Sequence, residues 1–283
     1  MPEKARKAQG EVKKSLNIKL LTVSTVLAAA IITSSILYQF FWRPSRESEV
    51  KFSLKAAIID QLGEDFFNQT FISAVTTLLE RYNFTVEYHG YNQANVEFFR
   101  RFAKSNYGVI ILRTHVALRK DGSVVDFFTS ERYVSTKHRE LQDKGLLVKG
   151  ELNVSGTVKE FFAFTPDFVR ELEGTFPQSI VIAMGCHSLN RTSGQPMAKA
   201  FCDKGAKVYI GWSSLVSASH SDREITKLIK RLLDGNETIK EAVKKASPEF
   251  MWGTRSELMF YPPAVENLRV PDLIRGVTYQ TSP

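Results

Sequence analysis

Two cysteines, Cys186 and Cys202, and five histidines, at positions 89, 115, 138, 187 and 220, are the whole stock of thiol and imidazole in the 283 residues. A thiol becomes a useful nucleophile when a neighbouring imidazole takes its proton. Cys186 stands in Gly185-Cys186-His187-Ser188, directly after the apolar run Ser179-Ile180-Val181-Ile182-Ala183-Met184. His115 closes the run Gly108-Val109-Ile110-Ile111-Leu112-Arg113-Thr114-His115. Both runs read as buried strands, and the axes of neighbouring strands lie about 4.8 Å apart. If these two strands are neighbours, an imidazole and a thiol on their tips can meet, and that pair supports acyl transfer. Each residue alone has a plainer reading: His115 as a surface or structural histidine, Cys186 as a small buried residue or half of a disulfide with Cys202. Their shared placement at strand ends selects the pair. His187, next to Cys186 on an extended strand, is expected to face the other way. His89 competes only if its strand is central, and His138 and His220 fall in expected solvated connections. No second pair with ligand spacing accompanies Cys186 and His187, so no metal or other cofactor is expected.

The elements that must carry these residues alternate in type. Ala56-Ala57-Ile58-Ile59 reads as a strand covered on both faces. Phe66 to Tyr82 follows as an amphipathic helix with Phe67, Phe71, Val75, Leu78 and Leu79 on one face. A strand over Phe84 to Tyr88, a helix over Asn95 to Ala103 and the strand over Tyr107 to Leu112 continue the rhythm. Leu118 to Ala163 breaks it: the Asp121-Gly122 turn, Val124 to Phe128 and Glu160 to Ala163 predict an inserted hairpin. A helix from Pro166 to Leu172, with Thr165 as its cap, leads into the strand before Cys186. Beyond it come a helix over Pro196 to Lys204 and a strand over Ala206 to Gly211. Helices over Asp222 to Leu233 and Ile239 to Ala246 follow, with Leu258 to Tyr261 a candidate edge strand. This alternation predicts an α/β domain with a mostly parallel sheet covered by helices on both faces. In such sheets function collects at the carboxyl ends of the strands, where His115 and Cys186 both stand.

Here the residues resemble a known family. The strand ending in Gly185-Cys186-His187-Ser188 is similar to the nucleophile strand of caspase-like cysteine peptidases, with motifs nearest the separase and CHAT branches. Gly194 to Gly205 resembles the helix after the nucleophile, and Ala206-Lys207-Val208-Tyr209-Ile210-Gly211-Trp212 the strand after that. Asp222 to Ala246 resembles the family's closing pair of helices, and Gly108 to His115 its histidine strand. The resemblance spans roughly residues 56–246 and implies a three-layer caspase-like domain cleaving peptides by acyl transfer. It implies Cys186 as nucleophile, His115 as proton carrier, and the N–H groups of Cys186 and of the residue after the histidine as oxyanion donors. Glycine usually follows the histidine in this family, whereas this chain has Val116, whose β-branched side chain disfavours positive φ. Loss of one oxyanion donor typically costs roughly 2.7–4 kcal/mol in barrier height. In relatives the first and fifth strand tips shape the substrate pocket. Asp60, Glu64, Asp65 and Trp212 occupy those tips here, the acids suiting an Arg or Lys side chain. Their other reading is a solvated loop at a helix start for the acids, and packing for Trp212.

The rest of the chain bears on location. Leu20 to Trp42 carries no charge, and its length of roughly 34 Å spans a bilayer core, which predicts a transmembrane helix. A cleaved signal peptide is the competing reading, but the apolar run is long for one. Six lysines and arginines precede the run, placing residues 1–19 in the cytoplasm and, after a linker at 43–50, the domain of 51–283 outside the cell membrane. Five of the ten asparagines, Asn68, Asn83, Asn153, Asn190 and Asn236, open Asn-x-Ser/Thr sequons, all beyond the span, which suits a glycoprotein. Half of the net charge of +8 falls in the first fifty residues and the rest is spread thinly over the domain, with no basic stripe interleaved with aromatics, so nucleic acid is not an expected partner. A protein or peptide substrate and the membrane are. Absence of Gly-x-x-x-x-Gly-Lys and Gly-x-Gly-x-x-Gly runs leaves nucleotide binding without support. The alternative function is a catalytically silent caspase-like ectodomain that binds a partner, which Val116 and the sequons also suit.

Overall fold

The apolar runs of the sequence become the inner strands of one six-stranded sheet. In the computed structural model, residues 51–154 and 156–278 are described, together with Ile31, Thr33, Ser34 and Tyr38. The expected transmembrane span at 20–42 lies almost wholly outside the described residues, among which no helix is long and apolar enough to cross a membrane. The chain divides into two units, 1–49 and 50–283, and the second carries the fold below.

Six strands form this sheet: β1 (Lys55–Asp60), β2 (Thr85–His89), β3 (Val109–Arg113), β8 (Ile180–Ala183), β9 (Val208–Trp212) and β12 (Leu258–Tyr261). Their spatial order is β12-β9-β8-β3-β1-β2. Neighbours run parallel except β12, which pairs antiparallel with β9 at one edge. Side chains alternate across it with the two-residue period of a strand. Ile110, Leu112, Val181 and Ala183 enter one core, while Val109, Ile111, Ile180 and Ile182 enter the other. One face is covered by α1 (Gln69–Glu80), α6 (Ala218–Leu233), α7 (Ile239–Lys244) and α8 (Val270–Thr278). The opposite face carries α2 (Val96–Arg100), α4 (Pro166–Glu171) and α5 (Gln195–Asp203). The α/β class, the mostly parallel sheet and the helices on both faces follow the expectation.

Boundaries moved where a polar cap wins over an apolar residue. The first helix begins at Gln69, with the Asn68 side chain accepting from the Phe71 N–H, so Phe66 and Phe67 stay outside it and exposed. The segment after Asn95 is a single five-residue helix followed by a separate 3-10 turn at Phe102–Lys104. Ser217 caps α6, which starts at Ala218, four residues before the expected Asp222, so that Ser221 and Asp222 fall inside its buried face. The expected hairpin is larger than the sequence suggested. It is a four-stranded antiparallel sheet in the order β4-β5-β7-β6, built from β4 (Val116–Leu118), β5 (Val125–Arg132), β6 (Leu147–Val154) and β7 (Thr157–Phe164). Between β5 and β6 lies the short α3 (Arg139–Asp143). A further hairpin, β10 (Glu249–Met251) with β11 (Thr254–Ser256), precedes the edge strand.

Candidate active site

β3 and β8 are neighbours, with Leu112 opposite Ala183 in the register. His115 and Cys186 each lie three residues beyond that pair, so the two tips leave the sheet side by side. The chains stay close past the last ladder bond, where the Met184 N–H donates to the Leu112 carbonyl at 2.9 Å. Gly185 then passes so near the other tip that a Cβ on it would lie 2.5 Å from the Thr114 carbonyl oxygen and 2.4 Å from Val116 Cγ2. Glycine is required there by approach, with no left-handed backbone involved.

The imidazole of His115 sits between two aromatic rings, Phe66 at 6.1 Å and Phe128 at 6.2 Å between centroids. Phe128 in turn occupies the space above Gly150, where a Cβ would lie 2.6 Å from its ring. The His115 main chain is pinned on both sides: its N–H donates to Gln61 Oε1 at 2.8 Å, and its carbonyl accepts from Phe128 at 3.0 Å. Burial holds the imidazole down at about 4, with Asp65 pulling upward and Arg113 and Lys159 pushing further down. It is therefore a neutral base at physiological pH. Val116 opens β4 opposite Phe127, and the Phe128-to-His115 bond makes this a position whose own N–H points away from β5. Its φ is negative, so the valine avoids the strain that the glycine pattern implied.

Cys186 begins a turn at the end of β8 and packs on the α1–α6 side of the sheet. Its Sγ lies 3.4 Å from both the carbonyl oxygen and the N–H nitrogen of Val216. Burial raises the thiol above its ordinary value, while the N–H groups of Val216 and of Cys186 itself draw it down. No hydrogen bond joins Cys186 to His115 in this arrangement, so the resting pair is a neutral thiol and a neutral imidazole. His187 takes a left-handed conformation, φ +56°, rather than continuing an extended strand, and its N–H donates to the Ser214 carbonyl at 2.9 Å. Its Nδ1 and the Thr114 Oγ1 are buried without a hydrogen-bond partner, one beside each member of the pair. Cys202 lies on α5, packed against the core on the opposite side of the sheet, and both thiols are free.

The expected pocket residues separate. Asp60 is fully buried and accepts from Arg113 Nη1 at 2.7 Å and from the Tyr88 hydroxyl at 3.1 Å. Trp212 is likewise fully buried, its indole N–H donating to Ser221 Oγ at 2.9 Å. Glu64 and Asp65 remain at the surface, where they receive Lys159 from β7 at 3.2 and 3.1 Å. The sequons also divide. Asn83, Asn153 and Asn236 are exposed. Asn68 and Asn190 instead commit their amide N–H groups to Asp222 and to the Ser213 carbonyl. His89 belongs to an edge strand and bonds the Tyr107 hydroxyl at 3.0 Å. His220, expected in a solvated connection, is buried on α6 with its Nε2 on the Ser247 carbonyl at 2.9 Å. Among the described residues no three His, Cys, Asp or Glu side chains group as a metal site.

Sequence reasoning missed Arg113 and Asp222. Arg113 is 1 % exposed and donates through Nε and Nη2 to the two oxygens of Asp222 at 2.8 and 2.9 Å, through Nη1 to Asp60, and through Nη2 to the Phe66 carbonyl at 2.5 Å. The one available signal was a charged residue inside an apolar strand run, which calls for a buried partner. No protein-family model matches the chain, and no curated protein matches it.

Proposed function

We propose that the chain is a membrane-tethered, extracytoplasmic, caspase-like cysteine endopeptidase working through Cys186 and His115. The observation that carries the reading is the in-register exit of both residues from neighbouring strands, with Gly185 lying against Thr114 and Val116. The strand order and the resemblance of residues 56–246 add to it. The tether and its orientation rest on the uncharged run at 20–42 and the cations before it.

In this mechanism a peptide carbonyl enters between the tips. The Cys186 sulfur bonds to the carbonyl carbon as its proton passes to His115, and the carbonyl electron pair moves to oxygen. N–H groups of Cys186 and Val116 receive that oxyanion. The C–N bond then breaks, His115 returns the proton to the leaving amine, and water hydrolyses the thioester through the same groups. An imidazole that burial holds at about 4 is a weak acceptor for a thiol that burial pushes up, so this transfer requires bound substrate to change the surroundings of both groups. Of the acids expected to select a basic side chain, Glu64 and Asp65 keep exposed surface, shared with Lys159.

A second reading, a binding ectodomain without turnover, is favoured by the two contacts that hold the thiol against Val216 and by the absence of a Cys–His bond. Full-length protein treated with peptidyl acyloxymethyl ketones ending in arginine, leucine or aspartate separates the two. Peptidase chemistry requires selective modification of Cys186, lost in H115A; a chain that no such probe modifies is the binding module.

A further inference from the structure

We infer that Asp222, acting through Arg113, is a positioning residue that holds the His115 and Cys186 tips at their working separation; this rests on the peptidase reading. Arg113 is the last residue of β3, two before His115, and its guanidinium is gripped along its Nε–Nη2 edge by both oxygens of the Asp222 carboxylate. Asp222 is itself fixed by a third donor, the Asn68 amide at 2.8 Å. The residue before it reaches the other tip: Ser221 Oγ donates to the carbonyl of Met184, two residues before Cys186, at 3.1 Å, and accepts from the Trp212 indole. The same helix is capped by Ser217, next to Val216, whose backbone holds the thiol. Two adjacent side chains of one helix, Ser221 and Asp222, therefore reach both tips, and the residue before its cap is the thiol cradle.

A purely stabilising role accounts poorly for this arrangement. A buried cation with two carboxylates is a weak source of stability compared with apolar packing of the same volume, because desolvation offsets the attraction. Bidentate guanidinium–carboxylate contacts instead fix direction and distance, which a point charge does not. An error of about 1 Å at a reacting pair can cost a hundredfold in rate. The arrangement is built to prevent that kind of error.

The test uses the full-length chain and whichever acyloxymethyl ketone modifies Cys186 fastest, with kinact and KI resolved separately. D222N keeps the shape and removes the charge; D222E keeps the charge and displaces it by one methylene. Each is expected to lower kinact at least tenfold with KI within twofold and the melting midpoint within a few degrees of the parent. A folded variant of either kind with kinact within twofold of the parent overturns the inference and leaves the peptidase reading standing. D222E carries the test if D222N does not fold. Failure of both to fold makes Asp222 a folding requirement and also overturns the inference. A parent chain that is not modified at all removes the peptidase reading first, and the inference with it.

Discussion

One added methyl group at Gly185 interrogates the geometry on which the site depends. In G185A the new Cβ would meet the Thr114 carbonyl oxygen at 2.5 Å and Val116 Cγ2 at 2.4 Å, whereas real Cβ atoms essentially never approach other heavy atoms within 3.0 Å. The valine methyl has some freedom; the carbonyl is main chain, held between the end of β3 and the pinned His115. The two tips must therefore separate by at least about half an ångström, and more for a relaxed contact. Overpacking of this kind typically costs about 1–3 kcal/mol. Displacement of a reacting pair by part of an ångström is expected to cost roughly 10- to 100-fold in rate. Urea denaturation measures the first, and the rate of Cys186 modification by a peptidyl acyloxymethyl ketone the second. V116A in the same chain relieves only the methyl clash, so the double variant should recover part of the stability and little of the rate. G185A within 0.5 kcal/mol of the parent and equally reactive would refute the adjacency of the tips, and with it the dyad.

Other consequences are open to measurement. R113M leaves the buried carboxylates of Asp60 and Asp222 without their cation and should lose about 3–5 kcal/mol by denaturation; a loss under 1 kcal/mol would mean the network is wet in solution. Stability should fall as pH drops from about 6.5 towards 4, because the unfolded imidazole of His115 takes up a proton that the folded one resists until about 4. That gap is worth roughly 3 kcal/mol, and H115F should remove it from the pH dependence of the denaturation midpoint, which a parallel curve for both chains would disprove. Alkylation of Cys186 by iodoacetamide in the resting chain should still be rising with pH above the usual thiol range, since burial favours its protonated form; a plateau at neutral pH contradicts that resting state. Mild oxidation should leave two titratable thiols rather than a Cys186–Cys202 bridge, because the sheet stands between them.

The inner strands were legible because burial on both faces demands unbroken apolar runs, and Ile110 to Leu112 and Ile180 to Ala183 have them. Their adjacency was not written in either run and stood only as a condition, which the register meets. β6 escaped notice because Leu147-Val148-Lys149-Gly150-Glu151 lacks clean alternation, Gly150 being there to seat Phe128. Asp60 and Trp212 stand at strand tips, where position alone suggests a pocket wall. Asp60 is buried by a partner remote in the chain, Arg113, and Trp212 by Ser221 on the helix that follows. The partner of Arg113 on α6 is 109 residues away, a pairing that no local pattern announces. The start of α6 was misjudged for a related reason, since Ser221 and Asp222 look like a polar lead-in and are in fact interior groups.

The four-stranded insertion is rooted beside the imidazole. β4 starts at the residue after His115, while the β6–β7 hairpin extends eight residues along each arm, roughly 27 Å at strand pitch. Its outer reaches are moored to the β1 tip by Lys159 and Arg132 on Glu64, surface contacts that yield readily to salt or to a competing anion. A load on the far end of that arm would reach the residue after His115 only against the packing of Phe127, Phe162 and Phe164 in the main core, so the root of the arm stays fixed while its outer end is free to be displaced.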